Sequence, residues 1–527
     1  MKKLNILKGA RIVLALVFFL PIILFFVDFA DVLPDKTHTF LHLQLMPALL
    51  GSFAGVVIAE LLLTFVFGRI YCSAICPAGV LQDIINRIYC IGKKKKNGSH
   101  RFSYKKPYNI LRYSLLVLTA ISVLAGVLNI YLLLDPYSNF GRIVTNIFRP
   151  IIIWGNNGIA SILMSMDNYS LYQASVTTVT TAGLISGVVA LALFVVMVVF
   201  HGRLFCNSIC PVGALLSILS RYSLFRITID KESCVHCGNC ERVCKAEAIN
   251  SKDMTIDTSR CVDCFNCVSS CAKGSLKYKL KPAFAKETAQ DATGETQTNN
   301  SASRSRRSFI ASTVTVASTL PIASALAEKV GGKGGHHKKR RKKWGPITPP
   351  GSLNIERFKD LCTGCHLCVT QCPSQVLRPA GLEYGFDYLL KPHVSYLDSY
   401  CNYECTVCSD VCPSHAIKPI TKEEKATTQV GIAHFFINRC IVNTENTDCG
   451  ACSEHCPTQA VKMVPFKGTL TIPEVNPDLC IGCGGCESIC PVRPMRAIII
   501  KANAEHKKVE KPKVEEIKEV EVTDFGF

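Results

Sequence analysis

The chain has 527 residues and 29 cysteines, carries a formal net charge of +19 at pH 7, and has a mean hydropathy of +0.24. The charge is concentrated in the blocks 93–96 and 338–343 and not on a face with aromatics, which argues against nucleic-acid binding and favours charges that orient or adjoin a membrane. The cysteines stand in tight groups, which excludes a small secreted disulfide scaffold and indicates metal ligation.

Four apolar stretches of about 20 residues predict transmembrane helices, since that length crosses roughly 30 Å of hydrocarbon. The first follows a basic N-terminal segment and has no small-residue cleavage site after it, so we expect a retained helix and not a signal peptide. The predicted spans are residues 12–27, 48–67, 114–134 and 182–200.

The loops predict how these helices are oriented. The 87–107 loop is rich in Lys and Arg and has no acid, so we expect it in the cytoplasm. The 28–46 and 135–178 loops are poor in Lys and Arg and should lie outside. Residues 148–165 contain a proline and a Gly-Asn-Asn break, so we expect them to lie along the interface and not to span it.

One motif is repeated at the ends of the second and fourth predicted helices. "GRIYCSAICPAGVL" (68–81) matches "GRLFCNSICPVGAL" (202–215), which predicts a duplicated two-helix unit in parallel orientation with both motifs at the cytoplasmic surface. The four cysteines could meet across the pseudo-two-fold axis and bind a metal or a further cluster. Alternatively, Pro77 and Pro211 merely end a turn and start helices. The cysteines are Cys72, Cys76, Cys206 and Cys210.

Residues 226–280 contain two C-x2-C-x2-C-x3-C motifs, which are typical of two-cluster ferredoxins. The first three thiolates hold one [4Fe–4S] cubane and the fourth ligates the partner cluster, so we expect Cys271 to complete the Cys234 cluster and Cys244 the Cys261 cluster. Zinc knuckles would show two CxxC pairs with a long gap. The predicted ligands are Cys234, Cys237, Cys240, Cys244, Cys261, Cys264, Cys267 and Cys271.

Residues 355–502 contain four further cysteine groups, which predict four more [4Fe–4S] clusters and so six in the chain. The spacing leaves open whether the fourth cysteine of each group serves an adjacent or a nested partner. The predicted ligands are Cys362, Cys365, Cys368, Cys372, Cys401, Cys405, Cys408, Cys412, Cys440, Cys449, Cys452, Cys456, Cys480, Cys483, Cys486 and Cys490.

His366 completes the sequence CTGCH, which matches a c-type haem attachment motif. A haem would use Cys362 and Cys365 and leave the other two cysteines of that group without a role, so we interpret His366 as a chance neighbour and expect no haem. The sequence shows no Gly-rich nucleotide fingerprint and no flavin signal. Cys90 stands outside every group.

These motifs predict a multi-domain chain, with an α-helical membrane bundle of four helices and two α+β ferredoxin-like domains. Residues 305–327 combine paired arginines, an apolar run and Ala-x-Ala, as an export signal does, and either stay as a fifth helix or are cleaved after Ala327. The expected units are 1–225 (membrane domain), 226–280 (two-cluster domain), 281–304 (disordered linker), 305–330 (signal or fifth helix), 331–354 (basic, extended linker), 355–502 (four-cluster domain) and 503–527 (charged tail).

The duplicated CxxxCP motif followed by two ferredoxin motifs resembles the NapH family, the membrane component of periplasmic nitrate reductase systems, whose membrane core is shared by NosR and CcoG. The resemblance covers about residues 1–275 and includes "LDPYSNFGR" (134–142). From about residue 305 the chain resembles NapG/MauM-type ferredoxins, which carry a twin-arginine signal and four cluster motifs, the third with a long first gap as in "CIVNTENTDCGACSEHCP" (440–457). The whole therefore resembles a NapH–NapG fusion.

The resemblance implies an iron–sulfur protein of the inner membrane that relays electrons from membrane quinol to a periplasmic cytochrome or reductase. Residues 201–304 would stay in the cytoplasm, and residues 328–527 would be exported already folded. Such a chain would act as a quinol dehydrogenase subunit without any further substrate site. Because the basic block 338–343 would then lie outside, against the positive-inside tendency, the alternative is that both cluster domains stay in the cytoplasm.

Glu60 lies in an otherwise apolar predicted helix, where a charge is costly and usually functional, so we expect it to accept a proton from quinol. Alternatively, a neighbouring helix neutralises it. The CcoG resemblance implies a different class of function, in which the CxxxCP pairs handle copper or exchange disulfides and the protein is a copper reductase or an assembly factor for a respiratory enzyme. If the clusters were only structural supports, the protein would show no low-potential redox activity.

Overall fold

The computed structural model describes residues 6–29, 33, 39–93, 102–125, 128–175, 179–280 and 344–510. The expected linker at 281–304, the expected twin-arginine signal at 305–327, the basic block 338–343 and the tail after residue 510 lie outside the described residues. The described segments form a helical region up to residue 220, a small α+β domain at 225–280 and a larger α+β domain that begins at residue 344. We refer to the two α+β units as the first and second cluster domains.

The helical region contains three helices that are long and apolar enough to cross a membrane, judged by length and composition within the described segments: Ile6–Val27, Pro136–Met164 and Thr181–His201. Shorter helices pack around them. The helices are α1 (Ile6–Val27), α2 (Thr39–His42), α3 (Leu45–Leu50), α4 (Ala54–Phe67), α5 (Pro77–Lys93), α6 (Asn109–Leu124), α7 (Asn129–Leu134), α8 (Pro136–Ile143), α9 (Arg149–Met164), α10 (Thr181–His201) and α11 (Pro211–Ser220).

Two of the predicted spans are interrupted. The span expected at 48–67 divides into α3 and α4, because Ser52 adopts a left-handed backbone with φ of 61°. The span expected at 114–134 divides into α6, which ends at Leu124, and the separate helix α7. As a result α4 has 14 residues and α6 has 16, and both are shorter than a full crossing requires.

The predicted break in residues 148–165 is wrong, because the chain is helical from Pro136 to Met164 through a π-helical turn at Val144–Phe148. Pro150 lies in the first turn of α9, where its missing N–H costs no helical hydrogen bond. Asn156 and Asn157 donate side-chain hydrogen bonds to the carbonyls of Tyr172 and Ala174, at 2.9 and 2.8 Å, and so remain compatible with the helix.

The repeated sequence motif forms the same structure twice. A long helix ends at a glycine, a π-helical turn follows (Tyr71–Ile75 or Phe205–Ile209), and a second helix starts at the proline of the motif. Gly68 and Gly202 have φ values of 78° and 61°. A Cβ at Gly68 would collide with the Asp263 side chain, so the close approach of the first cluster domain also requires glycine there.

The first cluster domain consists of two short antiparallel strand pairs with a short helix beside each. Strand β1 (Phe225–Ile229) pairs with β4 (Leu276–Leu280), and β2 (Ile249–Asn250) pairs with β3 (Thr255–Ile256). Its helices are α12 (Asn239–Arg242) and α13 (Asn266–Ser270). Ile227, Ile249, Phe265 and Leu276 form its core.

The second cluster domain has the same kind of structure on a larger scale and extends beyond the expected 355–502. Trp344 stacks on Phe436 at 5.9 Å, and the last strand runs to Lys508. Three antiparallel pairs join β5 (Leu377–Pro379) with β6 (Pro392–Val394), β7 (Thr428–Phe435) with β10 (Ile498–Lys508), and β8 (Val461–Pro465) with β9 (Thr471–Val475). The helices are α14 (Ile355–Leu361), α15 (Leu367–Thr370), α16 (Val407–Asp410), α17 (Lys422–Ala426), α18 (Ile441–Thr444), α19 (Ala451–Glu454) and α20 (Gly485–Ile489).

The two cluster domains contact opposite ends of α1. Lys8 near its start donates to Ser269 Oγ of the first domain at 3.5 Å, and the Phe25 carbonyl near its end accepts from Gln371 Nε2 of the second domain at 2.6 Å. These contacts are separated by about 26 Å along the helix at 1.5 Å per residue. The helical region therefore lies between the two cluster domains.

Candidate functional site

In each of the four motifs with standard spacing, the residue two positions before the third cysteine has a left-handed backbone conformation with positive φ. The chain turns at this residue, and the short helix that follows carries the third cysteine. A cluster loop needs such a turn because its first three ligands must face one centre. The residues and their φ values are Gly238 (71°), Phe265 (56°), His366 (66°) and Gly484 (81°).

His366 therefore occupies a position equivalent to Gly238, and the structure gives it a packing role. It is 1% exposed, its Nε2 lies 2.9 Å from the Leu390 carbonyl, and its Nδ1 lies 3.4 Å from Asn146 Nδ2. Burial lowers the pKa of His366 to about 3, so the ring is neutral. These contacts account for the histidine in the CTGCH sequence without any ligand.

A cavity in the first cluster domain is lined by the fourth cysteine of one motif and the first three of the other, namely Cys244 with Cys261, Cys264 and Cys267. Its walls are apolar, and Ala248 N donates to Cys244 Sγ at 3.5 Å. Burial raises the pKa of the Cys244 thiol to about 11, so a metal must displace its proton to bind. Four sulfur donors in an apolar cavity with N–H donors fit a [4Fe–4S] cubane.

In the second cluster domain the four groups exchange their fourth cysteines between adjacent motifs, which the spacing left open. Cys412 lies in electrostatic contact with the group of Cys362, Cys365 and Cys368. Cys372 lies against Cys401 and Cys408. Adjacent motifs in this half of the domain are therefore paired.

The other half follows the same rule. Cys490 lines one cavity together with Cys440, Cys449 and Cys452. Cys456 lies against the group of Cys480, Cys483 and Cys486. No disulfide joins the 24 motif cysteines, all of which lie in described segments.

One backbone contact joins the two halves of the second domain. Cys401 N donates to the Cys483 carbonyl at 3.0 Å, and the two thiols interact electrostatically. The Cys401 group and the Cys480 group are thus neighbours. The four groups form a series that starts with the Cys362 group at the membrane helices and ends with the Cys440 group.

Two buried lysines lie beside this series, and the sequence pattern did not single them out. Lys391 is 2% exposed and interacts electrostatically with Cys362, while Lys425 is 4% exposed and interacts with Cys401 and Cys408. Lys425 Nζ also donates to the carbonyls of Asn402 and Cys405. A buried ammonium group stabilises the negative charge of a thiolate-ligated cluster.

The four cysteines of the repeated motif are buried within the protein. Cys72, Cys76, Cys206 and Cys210 are 3–4% exposed. Both motifs start at a glycine that contacts the first cluster domain, since a Cβ at Gly68 would meet Asp263 and one at Gly202 the Lys245 carbonyl, and their expected place at the cytoplasmic side of the membrane stays a prediction. The Cys76 thiol interacts electrostatically with Cys206, and Cys210 with Cys206, Cys76 and Cys72, so the two copies meet.

The arginine of each copy reaches into the other copy. Arg69 Nη2 donates to the Cys206 carbonyl at 3.0 Å, and Arg203 Nη1 donates to the Cys72 carbonyl at 2.6 Å. Asp83 of α5 accepts from Arg203 and Arg11 and lies 3.1 Å from Lys245 Nζ of the first cluster domain. These contacts hold the two copies, α1 and the first cluster domain together.

The thiols of Cys72, Cys76, Cys206 and Cys210, which we refer to as the membrane thiols, are connected to a cluster group on each side. Toward the first cluster domain, the Arg69 backbone N–H donates to Asp263, whose carboxylate accepts from Cys261 Sγ at 3.6 Å. The side chain of Arg69 extends the other way, and its Nη2 lies 3.7 Å from Cys72 Sγ. Arg69 and Asp263 together thus connect a cluster ligand with a membrane thiol.

Toward the second cluster domain, Tyr131 of α7 and Asp135 lie between Cys210 and Cys365. Tyr131 donates a hydrogen bond to Asp135 and interacts electrostatically with Cys210. Asp135 caps α8 by accepting from Ser138 N at 2.7 Å and interacts electrostatically with Cys365. The "LDPYSNFGR" segment contains this aspartate, but its position between two thiols depends on the folded chain.

Glu60 lies on α4 near the first copy of the motif. Glu60 is 6% exposed, and within the described segments its Oε2 has no hydrogen-bond partner. It interacts electrostatically with Tyr71, the residue before Cys72. Tyr71 Oη donates to Gln44 Oε1 at 3.2 Å. The carboxyl group is therefore buried near Tyr71, which precedes Cys72 in the chain and is hydrogen-bonded to Gln44.

Family models of 4Fe-4S proteins match both the helical region and the cluster domains. Two family models described as "4Fe-4S binding domain" match the chain, one at residues 48–98 and again at 183–231, and the other at 226–249. Models described as "4Fe-4S dicluster domain" match 257–376, 361–417 and 447–493. No solved structure matches the chain.

Three curated relatives match parts of the chain. The ferredoxin-type protein MauN of Methylobacillus flagellatus, named for methylamine utilization, is 31% identical over 250 residues, covering 44% of this chain and 73% of that protein. The ferredoxin-type protein NapH of Escherichia coli is 27% identical over 198 residues, covering 37% and 53%. MauM of Methylobacillus flagellatus is 29% identical over 148 residues, covering 26% and 61%.

The grouped cysteines and the apolar helices define a membrane-bound iron–sulfur electron-transport protein of the ferredoxin type. Within that class, the chain belongs to the family of ferredoxin-type membrane proteins that includes MauN and NapH.

Proposed function

We propose that this protein is a quinol-oxidising electron relay that carries electrons from membrane quinol to a redox partner in the periplasm. The observation that carries the proposal is the presence of cysteine groups at both ends of the helical region. These groups extend from the first cluster domain at the Lys8 end of α1, past the membrane thiols, to the second cluster domain at the Phe25 end. Clusters hold and release single electrons, so a series of them serves as a conduit.

The orientation follows from the basic loop. Lys105, in the described part of the 87–107 loop, lies 3.7 Å from Glu247 of the first cluster domain, so the loop and that domain are at the same end. The positive-inside rule assigns this end to the cytoplasm. The second cluster domain at the opposite end is then periplasmic, as expected for a NapH–NapG fusion with a twin-arginine segment between its halves.

Quinol oxidation releases two electrons and two protons, and the protons need an acceptor. Glu60 provides a buried carboxyl group whose Oε2 has no partner among the described residues. Tyr71 interacts electrostatically with it and donates a hydrogen bond to Gln44. We assign the quinol head group to this place, with Gln44 orienting the ring and Glu60 accepting the two protons one after the other, releasing the first to water before it takes up the second. The electrons pass through the cluster series one at a time, so the first electron leaves before the second.

The end of the series indicates where a partner would dock. The Cys440 group is the most distant from the helices in the order of contacts, and Cys449 and Cys452 are only half-buried. A periplasmic cytochrome or reductase would receive electrons there. The alternative function, a copper reductase or assembly factor, needs thiols that a copper ion can reach, whereas the four membrane thiols are buried.

The test is reduction of the anaerobically purified full chain by menaquinol, followed by EPR and iron counting. We expect signals of reduced [4Fe–4S] clusters from both cluster domains, with about 24 irons in the six ferredoxin-type sites. Reduction by dithionite but not by menaquinol would contradict the quinol role. Reporter enzymes fused after residue 280 and after residue 527 test the orientation, and cytoplasmic activity of both fusions would contradict the exported second domain.

A further inference from the structure

We propose that Cys72, Cys76, Cys206 and Cys210 together hold a seventh iron–sulfur centre inside the helical region. This centre would connect the Cys261 cluster of the first domain with the Cys362 cluster of the second. The proposal deepens the relay function and rests on it only for the direction and source of the electrons, because binding of the centre depends on the four thiols alone.

Each copy of the repeated motif contributes half of the ligand set. The matching 4Fe-4S family model covers the two copies separately, yet each copy has only two cysteines, and a cluster of this kind takes four thiolates. The structure brings the copies together, since Cys206 and Cys72 interact electrostatically and the two arginines each bond to the opposite copy. Only the duplicated chain therefore completes the site.

All four sulfur atoms accept a hydrogen bond from an N–H group. Gly213 N donates to Cys210 Sγ at 3.3 Å, and Gly79 N makes the equivalent bond to Cys76. Gln82 Nε2 donates to Cys206 Sγ at 3.2 Å, and Arg69 Nη2 lies 3.7 Å from Cys72 Sγ. N–H donors directed at sulfur stabilise thiolates, and such bonds surround cluster ligands in general.

The glycines that supply two of these donors cannot be replaced without moving the motif. A Cβ at Gly79 would collide with the Cys72 carbonyl, and one at Gly213 with the Cys206 carbonyl. The same carbonyls accept from Arg203 and Arg69. Each turn is therefore packed so closely against the following helix that the direction of its two sulfur atoms is set by the backbone.

The charge around the four thiols suits an iron–sulfur cluster. Four thiolates on ferric and ferrous iron leave a net negative charge, and the buried guanidinium groups of Arg69 and Arg203, each at most 1% exposed, lie beside it.

The location gives the centre its role. Arg69 links Cys72 to the Asp263 and Cys261 side, and Tyr131 with Asp135 links Cys210 to Cys365. One electron would move from a reduced cluster to the oxidised centre and then to the next oxidised cluster, so that each step oxidises one site and reduces its neighbour. No bond forms or breaks in the transfer.

The experiment compares the full-length protein, purified anaerobically, with the double variant Cys72→Ser/Cys206→Ser, which removes one ligand from each copy. Cys90→Ser is the control, because Cys90 belongs to no group. Iron per chain and Mössbauer spectra are measured, and dithionite serves as the reductant, so that a failure of quinol oxidation does not affect the result.

We expect the wild type and Cys90→Ser to bind about two to four irons beyond the roughly 24 of the ferredoxin-type sites, and the double variant to lose them while keeping the other clusters. Quinol-driven reduction of the second domain should also be lost in the double variant. A wild type with no iron beyond the ferredoxin-type sites would overturn the proposal, even if the variant fails to fold. Equal iron content and spectra in wild type and double variant, or copper in place of the additional iron, would overturn it as well.

Discussion

Arg69 and Arg203 make equivalent hydrogen bonds in opposite directions, Arg69 to the Cys206 carbonyl at 3.0 Å and Arg203 to the Cys72 carbonyl at 2.6 Å. Each arginine thus bonds to the copy of the motif to which it does not belong. The two arginines differ in their other partners. Arg203 forms a salt bridge with the Asp83 carboxylate, whereas Arg69 donates a hydrogen bond to the neutral Asn207 side chain. The second copy therefore anchors the charged network that reaches α1 and Lys245.

Replacing Arg203 with Met should destabilise the helical region by about 3–5 kcal/mol. The substitution leaves the buried Asp83 carboxylate with fewer counter-charges and the Cys72 carbonyl without its donor. Thermal unfolding in detergent measures the loss, and Arg242→Met on an exposed position of the first cluster domain is the matched control. An unchanged midpoint in Arg203→Met would show that the cross-copy bond contributes nothing.

A Gly141→Ala substitution should separate the second cluster domain from the helices. A Cβ at Gly141 would collide with the Cys365 carbonyl and press on Phe26. Gly158→Ala on α9 is the control, because a Cβ there meets nothing within 4 Å among the described residues; that change should raise helix stability by about 0.5–1 kcal/mol.

The readout for both variants is the rate at which electrons pass from the first cluster domain to the second. We expect the rate to fall at least about tenfold for Gly141→Ala. A collision that weakens the contact between the second cluster domain and the helices by only about 1.4 kcal/mol already lowers the equilibrium constant of that contact tenfold. Gly158→Ala should transfer electrons as the wild type does. Equal rates in the two variants would mean that the contact between Gly141 and Cys365 does not position the domain.

The crossed pairing of fourth cysteines predicts which variants share a spectrum. Cys490→Ser should remove or alter the same EPR signal as Cys440→Ser, because both thiols line one cavity. Cys456→Ser should instead affect the signal lost in Cys480→Ser. If Cys490→Ser matched Cys480→Ser, each motif would bind its own cluster and the crossed pairing would be incorrect.

Replacing Glu60 with Gln should slow menaquinol-dependent reduction of the clusters by about 10²–10⁴-fold, the usual contribution of a positioned proton acceptor. The amide keeps the shape of the side chain but cannot take up the proton. Reduction by dithionite should be unaffected, which separates a defect in quinol oxidation from loss of clusters. Wild-type rates with menaquinol would assign Glu60 a purely structural role.

Removing the buried charge of Lys425 should lower the reduction potential of the Cys401 cluster. A unit charge at about 6 Å with an effective dielectric constant near 20 contributes about 3 kcal/mol, which corresponds to roughly 100 mV for one electron. Potentiometric titration of Lys425→Met measures the shift, and iron content confirms that the cluster is retained. Lys422→Met, on the exposed face of the same helix α17, should leave the potential unchanged.

The cysteine spacing by itself determined much of the candidate site. Three ligands within seven residues converge locally, so the amino-acid sequence already groups Cys261, Cys264 and Cys267. The duplication of the CxxxCP motif is equally evident in the sequence, and it predicts that the two halves are related. Apolar runs indicate the helices, but they do not reveal the breaks at Ser52 and after Leu124, because an interruption of a few residues hardly changes the mean hydropathy of the stretch.

Only the tertiary structure decided what depends on residues distant in the chain. The pairing of Cys490 with the Cys440 group, the burial of the four membrane thiols and the position of Asp135 between Cys210 and Cys365 arise from contacts across 38 to more than 200 residues. Spacing in sequence constrains a loop, whereas the meeting of two loops depends on how helices and domains pack. For the same physical reason the lysines beside the clusters resemble ordinary surface charges in the sequence, although the fold buries them.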